Sequence, residues 1–240
     1  MRVCSAENLD LNRSLESTMQ RIAEPELMDS EEQAMAYSSA DFSKPHDFFV
    51  QLFGDLFRGL SIEGTVLDLG CGPADVTIRF ARAYPACRIH GIDAGPNMLR
   101  LGRECAMREG LNDRIELIQG HLPEDAPPFS RYDGIISNSL LHHLADPLVL
   151  WQCIRRYAQP GAPVLVMDLL RPESEAELDS LVAGYAAGEP EILQQDFRNS
   201  LMAAYRAAEV ERQLEMSGLL DFSVGQVSDR HVAVWGLGPG

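Results

Sequence analysis

Two stretches of the chain combine residue types and spacings that can do chemistry. The first is Val66-Leu67-Asp68-Leu69-Gly70-Cys71-Gly72-Pro73-Ala74-Asp75-Val76. Its apolar run reads as a buried parallel strand. Gly70 and Gly72 then let backbone amides approach a ligand, because glycine has no Cβ. Such a ligand lies beyond the carboxyl end of a strand, where open α/β sheets bind their ligands. Asp93 ends the next apolar run, Ile89-His90-Gly91-Ile92-Asp93, one βαβ step later. A carboxylate there can accept hydrogen bonds from both hydroxyls of an adenosine ribose. Asp68 sits inside an apolar strand end, and an acid buried there needs hydrogen-bond donors. The second stretch is Asp133-Gly134-Ile135-Ile136-Ser137-Asn138-Ser139-Leu140-Leu141-His142-His143-Leu144-Ala145-Asp146-Pro147. A neutral histidine can take a proton from a hydroxyl, so His142 and His143 are candidate catalytic bases. Adjacent residues do not share a helical face, so one of the pair is expected to meet a reaction pocket while the other packs.

Spacing narrows the ligand. A dinucleotide turn reads G-x-G-x-x-G, whereas the small residues here are Gly70, Gly72 and Ala74. With Asp68 in front, the pattern resembles motif I of class I S-adenosylmethionine-dependent methyltransferases, with Ala74 where a third glycine is usual. The 133–147 stretch resembles motif IV of that family and the L-H-H-(L/F)-x-D-P segment common in its small-molecule enzymes. It differs from the N/D-P-P-Y motif of many enzymes that methylate amino groups on nucleic acid or protein. The resemblance covers about residues 60–236. It implies S-adenosyl-L-methionine as cofactor and methyl transfer by in-line displacement, with S-adenosylhomocysteine as product.

The same resemblance assigns roles residue by residue. Asp68 fixes the glycine loop or the methionine ammonium of the cofactor. Gly70, Cys71 and Gly72 form the loop, Asp93 takes the ribose, and Ala94 and Met98 line the adenine. His121, followed by Leu122, stands where the family often carries an acid for the adenine amine, which leaves the Leu122 amide for that contact. Asn138, Ser139 and His143 fall near the methionine part. Tyr37 and Phe42, which lie outside the regular part of the apolar stripe that follows, are candidates to cover the cofactor and to line the substrate side. Arg171 and Asn199 are candidates for the acceptor site, Arg171 as partner of a substrate carboxylate.

These residues need elements to hold them. Apolar runs at 65–69, 88–93, 115–119, 132–137 and 162–168 read as strands, with helical patterns at 75–83, 96–109 and 147–157 between them. That alternation predicts a Rossmann-like α/β fold with a mostly parallel sheet. Helices are expected at 172–187, 191–205 and 207–217. Runs at 219–227 and 230–235 predict an antiparallel C-terminal hairpin, which makes a seven-stranded sheet of the class I methyltransferase kind with helices on both faces. Residues 1–18 are expected to form a loosely ordered tail, 19–60 a helical cap built in pieces, and 61–240 the methyltransferase domain. Within it, 171–205 is expected to be an insertion that forms part of the acceptor site.

A formal net charge of −16 opposes binding to nucleic acid or to an anionic membrane surface, both of which favour basic surfaces. The five cysteines are widely spaced, with no C-x-x-C. No disulfide framework or metal site is therefore expected, and a reducing, cytoplasmic setting fits. Cys71 reads as a packing residue. No run approaches a membrane span, and Met1-Arg2-Val3-Cys4-Ser5 is followed by no apolar core, so no signal peptide is expected. The expected partner is a small-molecule acceptor. The oligomeric state is undetermined, and a homodimer is compatible with the sequence. The rival readings are an RNA or protein methyltransferase, a non-catalytic S-adenosylmethionine-binding module, and a nicotinamide-dependent oxidoreductase, which the turn spacing and the hairpin disfavour.

Overall fold

Alternating apolar strands and amphipathic helices wind into one seven-stranded sheet. The structure, a computed structural model, describes residues 19–24, 30–32, 35–36 and 40–240, so Tyr37 lies outside the described residues. The strands are β1 (Gly64–Leu69), β2 (Cys87–Asp93), β3 (Ile115–Gln119), β4 (Gly134–Asn138), β5 (Pro163–Leu169), β6 (Ser223–Gln226) and β7 (His231–Leu237). The helices are α1 (Ser43–Leu56), α2 (Asp75–Ala83), α3 (Pro96–Arg108), α4 (Leu148–Tyr157), α5 (Glu175–Tyr185), α6 (Glu191–Ala203) and α7 (Ala207–Ser217). The sheet order is β3-β2-β1-β4-β5-β7-β6, with β7 antiparallel to both of its neighbours. The order reverses between β1 and β4, and the first βα turn opens at that switch point.

The central strands are mostly apolar because both sheet faces are covered. Val66 packs on one side with Phe49, Phe53, Phe80 and Leu99 of α1, α2 and α3. Leu67, its neighbour in the chain, packs on the other with Trp151, Ile154, Val210 and Leu214 of α4 and α7. The aromatic stripe of α1 drives its docking. Phe49 and Phe53, four residues apart, are both fully buried, and the Phe53 ring meets Phe80 edge-on at 4.8 Å. A smaller cluster of Leu169, Leu178, Leu181 and Leu201 joins α5 and α6 to the end of β5.

Several boundaries depart from the sequence reading. Residues 19–24 form an irregular strap rather than helix. Tyr132 makes only an isolated bridge to Ala158, and β4 starts two residues later. Helix α5 starts after Ser174, whose side chain accepts from the Glu177 amide, rather than near residue 172. Strand β6 is confined to Ser223–Gln226, because the left-handed Gly218 cap leads into a turn that leaves Leu220 exposed. Among the described residues no helix is long and apolar enough to cross a membrane.

Candidate functional site

A cleft of about 850 Å³ runs across the carboxyl ends of β1, β2 and β4 and beneath α1, α5 and α6. Its floor is the glycine-bearing turn. Gly70, Gly72 and Ala74 all take left-handed backbone, with φ of 71°, 51° and 64°. Glycine adopts this without strain, and alanine at a modest cost, which explains why a third glycine is usual at position 74. A Cβ on Gly70 would stand 2.7 Å from Leu140, so the turn and the 139–144 segment are packed together through that missing atom. A Cβ on Gly72 would meet nothing within 4 Å, so this part of the turn faces open space at the cleft.

Asp93 ties the turn to β2. One carboxylate oxygen accepts from the Gly72 amide and the other from the Gly95 amide, each at 2.8 Å. A carboxylate oxygen accepts more than one hydrogen bond, so both retain capacity toward a ligand. Asp68 is 2% exposed and accepts from the Thr77 hydroxyl at 2.6 Å. Burial pushes its carboxyl up to about 7, opposed by the Thr77 bond and aided by the Asp93 charge. Cys71 lies against Gly91, and burial, with Asp93 and Asp68 nearby, holds its thiol well above the usual range. Asn138 donates to Ser139 at 3.1 Å, while its buried Oδ1 has no hydrogen-bond partner. A second acceptor therefore lines the cleft with Asp68. Ala94, Met98, His121, Leu122 and Ser139 also line it. The His121 side chain is exposed, and its amide is held by Asp125 at 2.9 Å.

A second polar group forms where the cleft meets the 19–24 strap. The His142-His143 segment is a turn rather than a helix, so both imidazoles come to one side, their ring centroids 4.2 Å apart. Both face Glu24, whose Oε1 lies 3.5 Å from His142 Nε2 and 3.1 Å from His143 Nδ1. The expected division into one pocket-facing and one packing histidine is thus corrected, because the helical geometry behind it is absent. Asp168, buried at the end of β5, accepts from His142 Nδ1 at 2.5 Å and from the Leu141 and Leu169 amides at 2.7 and 2.6 Å. Burial pushes Asp168 up, but the His142 charge and these bonds outweigh it and hold the group below its ordinary range. Burial also opposes charge on His142, and Asp168 and Glu24 overcome that to raise it. Glu24 is raised, chiefly by burial. The strap is fixed by Arg21, which donates to the Ala203 and His142 carbonyls and covers the Tyr205 ring, and by Ser200, which donates to Glu24.

The residues Asp68, Gly70, Cys71, Gly72, Asp93, Ala94, Met98, His121, Leu122, Asn138, Ser139, His142 and His143 are all brought to this cleft, as is Phe42. Arg171 and Asn199 are not among its lining residues. The Arg171 guanidinium turns into the fold, donating to the Ala204 carbonyl at 3.0 Å and pairing with Glu209 at 2.6 Å. Asn199 faces Gln195 on the outer part of α6. Sequence reasoning missed Glu24, Thr77 and Asp168. Asp168 carried a usable signal, since Val166-Met167-Asp168-Leu169 repeats the apolar strand-end acid of Val66-Leu67-Asp68-Leu69.

Strand order, antiparallel hairpin, first turn and the acid ending β2 together define the fold of class I S-adenosylmethionine-dependent methyltransferases. Residues 66–161 match the family described as methyltransferase domain. It is 30% identical over 164 residues to a probable fatty acid methyltransferase of Pseudomonas putida, covering 66% of this chain and 41% of that protein. It is 37% identical over 94 residues to the ribosomal protein L11 methyltransferase of Enterobacter sp. (strain 638), covering 38% and 31%. The chain thus spans less than half the length of these curated relatives. A crystal structure of a SAM dependent methyltransferase from Aquifex aeolicus superposes with a TM-score of 0.62 at 19% identity, over 88% of this chain and 99% of that one.

Proposed function

We propose that this chain transfers a methyl group from S-adenosylmethionine to a small-molecule acceptor held in the same cleft. The observation that carries this is the donor and acceptor set around the first turn. Open backbone at Gly72, the Asp93 carboxylate, and the Asp68 and Asn138 acceptors converge on one cavity. This set fits a ligand with a ribose diol at one end and an ammonium at the other. Asp93 accepts from the ribose hydroxyls. Ala94, Met98 and the 121–122 loop flank the base. Asp68 and Asn138 receive the ammonium. When bound, the cofactor supplies a methyl group on a sulfonium, open to in-line displacement, and the chain's part is binding and alignment.

The acceptor side is lined by apolar and aromatic side chains, which supports a small molecule over a macromolecule. Phe42 from the segment leading into α1, Tyr185 of α5, and Leu193 and Phe197 of α6 line it. About 850 Å³ suits a cofactor and a small acceptor together. In this reading residues 19–60 form the cap and 171–205 the acceptor wall. The Glu24–His142–His143 cluster holds the acceptor's heteroatom and can receive the proton that a hydroxyl must lose. The net charge of −16 supports the same choice.

Calorimetric titration with S-adenosylhomocysteine, with NADH in parallel, tests the cofactor. Saturable binding of the former alone is expected. NADH binding without S-adenosylhomocysteine binding would overturn the reading, and a gel shift with RNA at moderate salt would overturn the choice of a small acceptor.

A further inference from the structure

We propose that Glu24, His142 and His143 form a binding site for one divalent transition-metal ion of the zinc or iron(II) class, open to the acceptor side of the cleft. One ligand atom from each residue lies within 4.8 Å of the other two. The spacings from Glu24 Oε1, 3.5 Å to His142 Nε2 and 3.1 Å to His143 Nδ1, are close to two edges of a coordination polyhedron. With bonds of about 2.0–2.1 Å, donors around a tetrahedral ion stand about 3.3–3.4 Å apart, and around an octahedral ion about 2.8–3.0 Å. Two imidazoles and one carboxylate are a donor set suited to these ions.

The surroundings prepare the site. Asp168 already accepts two backbone amides and is therefore a carboxylate toward His142 Nδ1, which donates to it at 2.5 Å. That bond turns the lone pair of Nε2 outward, as the carboxylate partner of a metal-bound histidine does. His142 Nε2 is buried and has no hydrogen-bond partner among the described residues, while the nearest charged atom is a carboxylate oxygen. Two acceptors facing each other in a buried place call for a cation between them. Glu24 comes from the strap, 118 residues from His142, and Arg21 and Ser200 hold it there. The cluster lines the cleft through both histidines, so coordination positions not taken by protein face the acceptor. On the proposed function, those positions would bind an acceptor oxygen, and the ion would ease loss of its proton to solvent in place of the histidines, whose lone pairs would be taken by the metal. The sequence reading expected no metal, because it weighed cysteine spacing and could not see Glu24.

The test uses the full chain, stripped with EDTA and dialysed, titrated calorimetrically with Zn²⁺ and optically with Co²⁺. One saturating equivalent and an intense four- or five-coordinate Co²⁺ spectrum are expected. Glu24→Gln and His143→Gln should each weaken Zn²⁺ by at least tenfold, and Asp168→Asn by about 10–100-fold through lost orientation. Non-saturating Zn²⁺ uptake, a weak water-like Co²⁺ spectrum in the wild type, or undiminished binding in both ligand variants would overturn the site and leave a proton as the cation. Wild-type titration with S-adenosylhomocysteine in the same metal-free buffer separates the two readings. Ligand binding without Zn²⁺ binding sinks only the metal site, and the reverse sinks only the cofactor.

Discussion

On the proposed function, Asp68 makes cofactor affinity depend on pH. Its carboxyl is buried, hydrogen-bonded by Thr77 alone among the described side chains, and pushed up to about 7 by burial. An ammonium ligand needs the ionised form. Below pH 7 binding must therefore expel a proton, and the apparent Kd rises by the factor 1 + 10^(7−pH). That is about twofold at pH 7, about 11-fold at pH 6 and about 100-fold at pH 5, each unit costing about 1.36 kcal/mol. Calorimetry with S-adenosylhomocysteine in two buffers of different ionisation enthalpy should report about 0.9 proton released at pH 6 and about 0.1 at pH 8. Asp68→Asn should bind with no such slope and, at pH 8, about 1.5–3 kcal/mol more weakly. Thr77→Val, which removes the donor, should move the midpoint upward. The ligand-free fold follows the opposite sign. Because the folded state holds the Asp68 proton up to about 7 and the unfolded chain only to about 4, stability falls as pH rises through that window. A flat affinity from pH 5 to 8, or Asp68→Asn binding like wild type, would refute the ammonium assignment.

Asp93→Ala should weaken S-adenosylhomocysteine by about 1.5–3 kcal/mol, roughly tenfold to a hundredfold by titration, since it removes a charged acceptor and releases the Gly72 and Gly95 amides. Asp168→Ala strips the acceptor from His142 and two amides, and chemical denaturation should show a loss of about 3–5 kcal/mol. Since Asp168 is held below its ordinary range, its contribution is present above about pH 4 and is lost as pH falls through the lower folded value, so wild-type melts should fall steeply there. Arg171→Ala should cost about 2–3 kcal/mol of stability and leave S-adenosylhomocysteine affinity unchanged, because its partners are Ala204 and Glu209. Cys71 should escape alkylation at pH 8 while Cys105 labels, as read by peptide mass mapping.

The two halves of the cleft differ in how far the sequence discloses them, and the reason is the separation along the chain of the residues that meet. The cofactor half is built from strand ends and the turns that follow them. Each apolar run therefore announces where its polar residue will stand, and Asp68, Gly70, Gly72, Asp93 and Asn138 all line the cleft. The parallel strands were legible for the same reason, since burial on both faces leaves an unbroken apolar run. The acceptor half is assembled across long separations. Glu24 reaches His142 and Ser200 through a strap with no periodicity, fixed by backbone bonds such as Ile22 to Met202. Local rules also misled where the local structure was wrong. The 142–143 pair was read by helical geometry but lies in a turn, and Arg171, placed at the pocket mouth, instead satisfies the carbonyl end of α6. A strap that contributes both the only carboxylate of the three-residue cluster and the Arg21 contact to the His142 carbonyl makes the proposed acceptor site conditional on docking of the chain's first described residues. The cofactor half draws nothing from that strap. On the proposed function, ligand binding at Asp93 and chemistry at His143 are therefore separable, since the segments that hold them rest on different contacts.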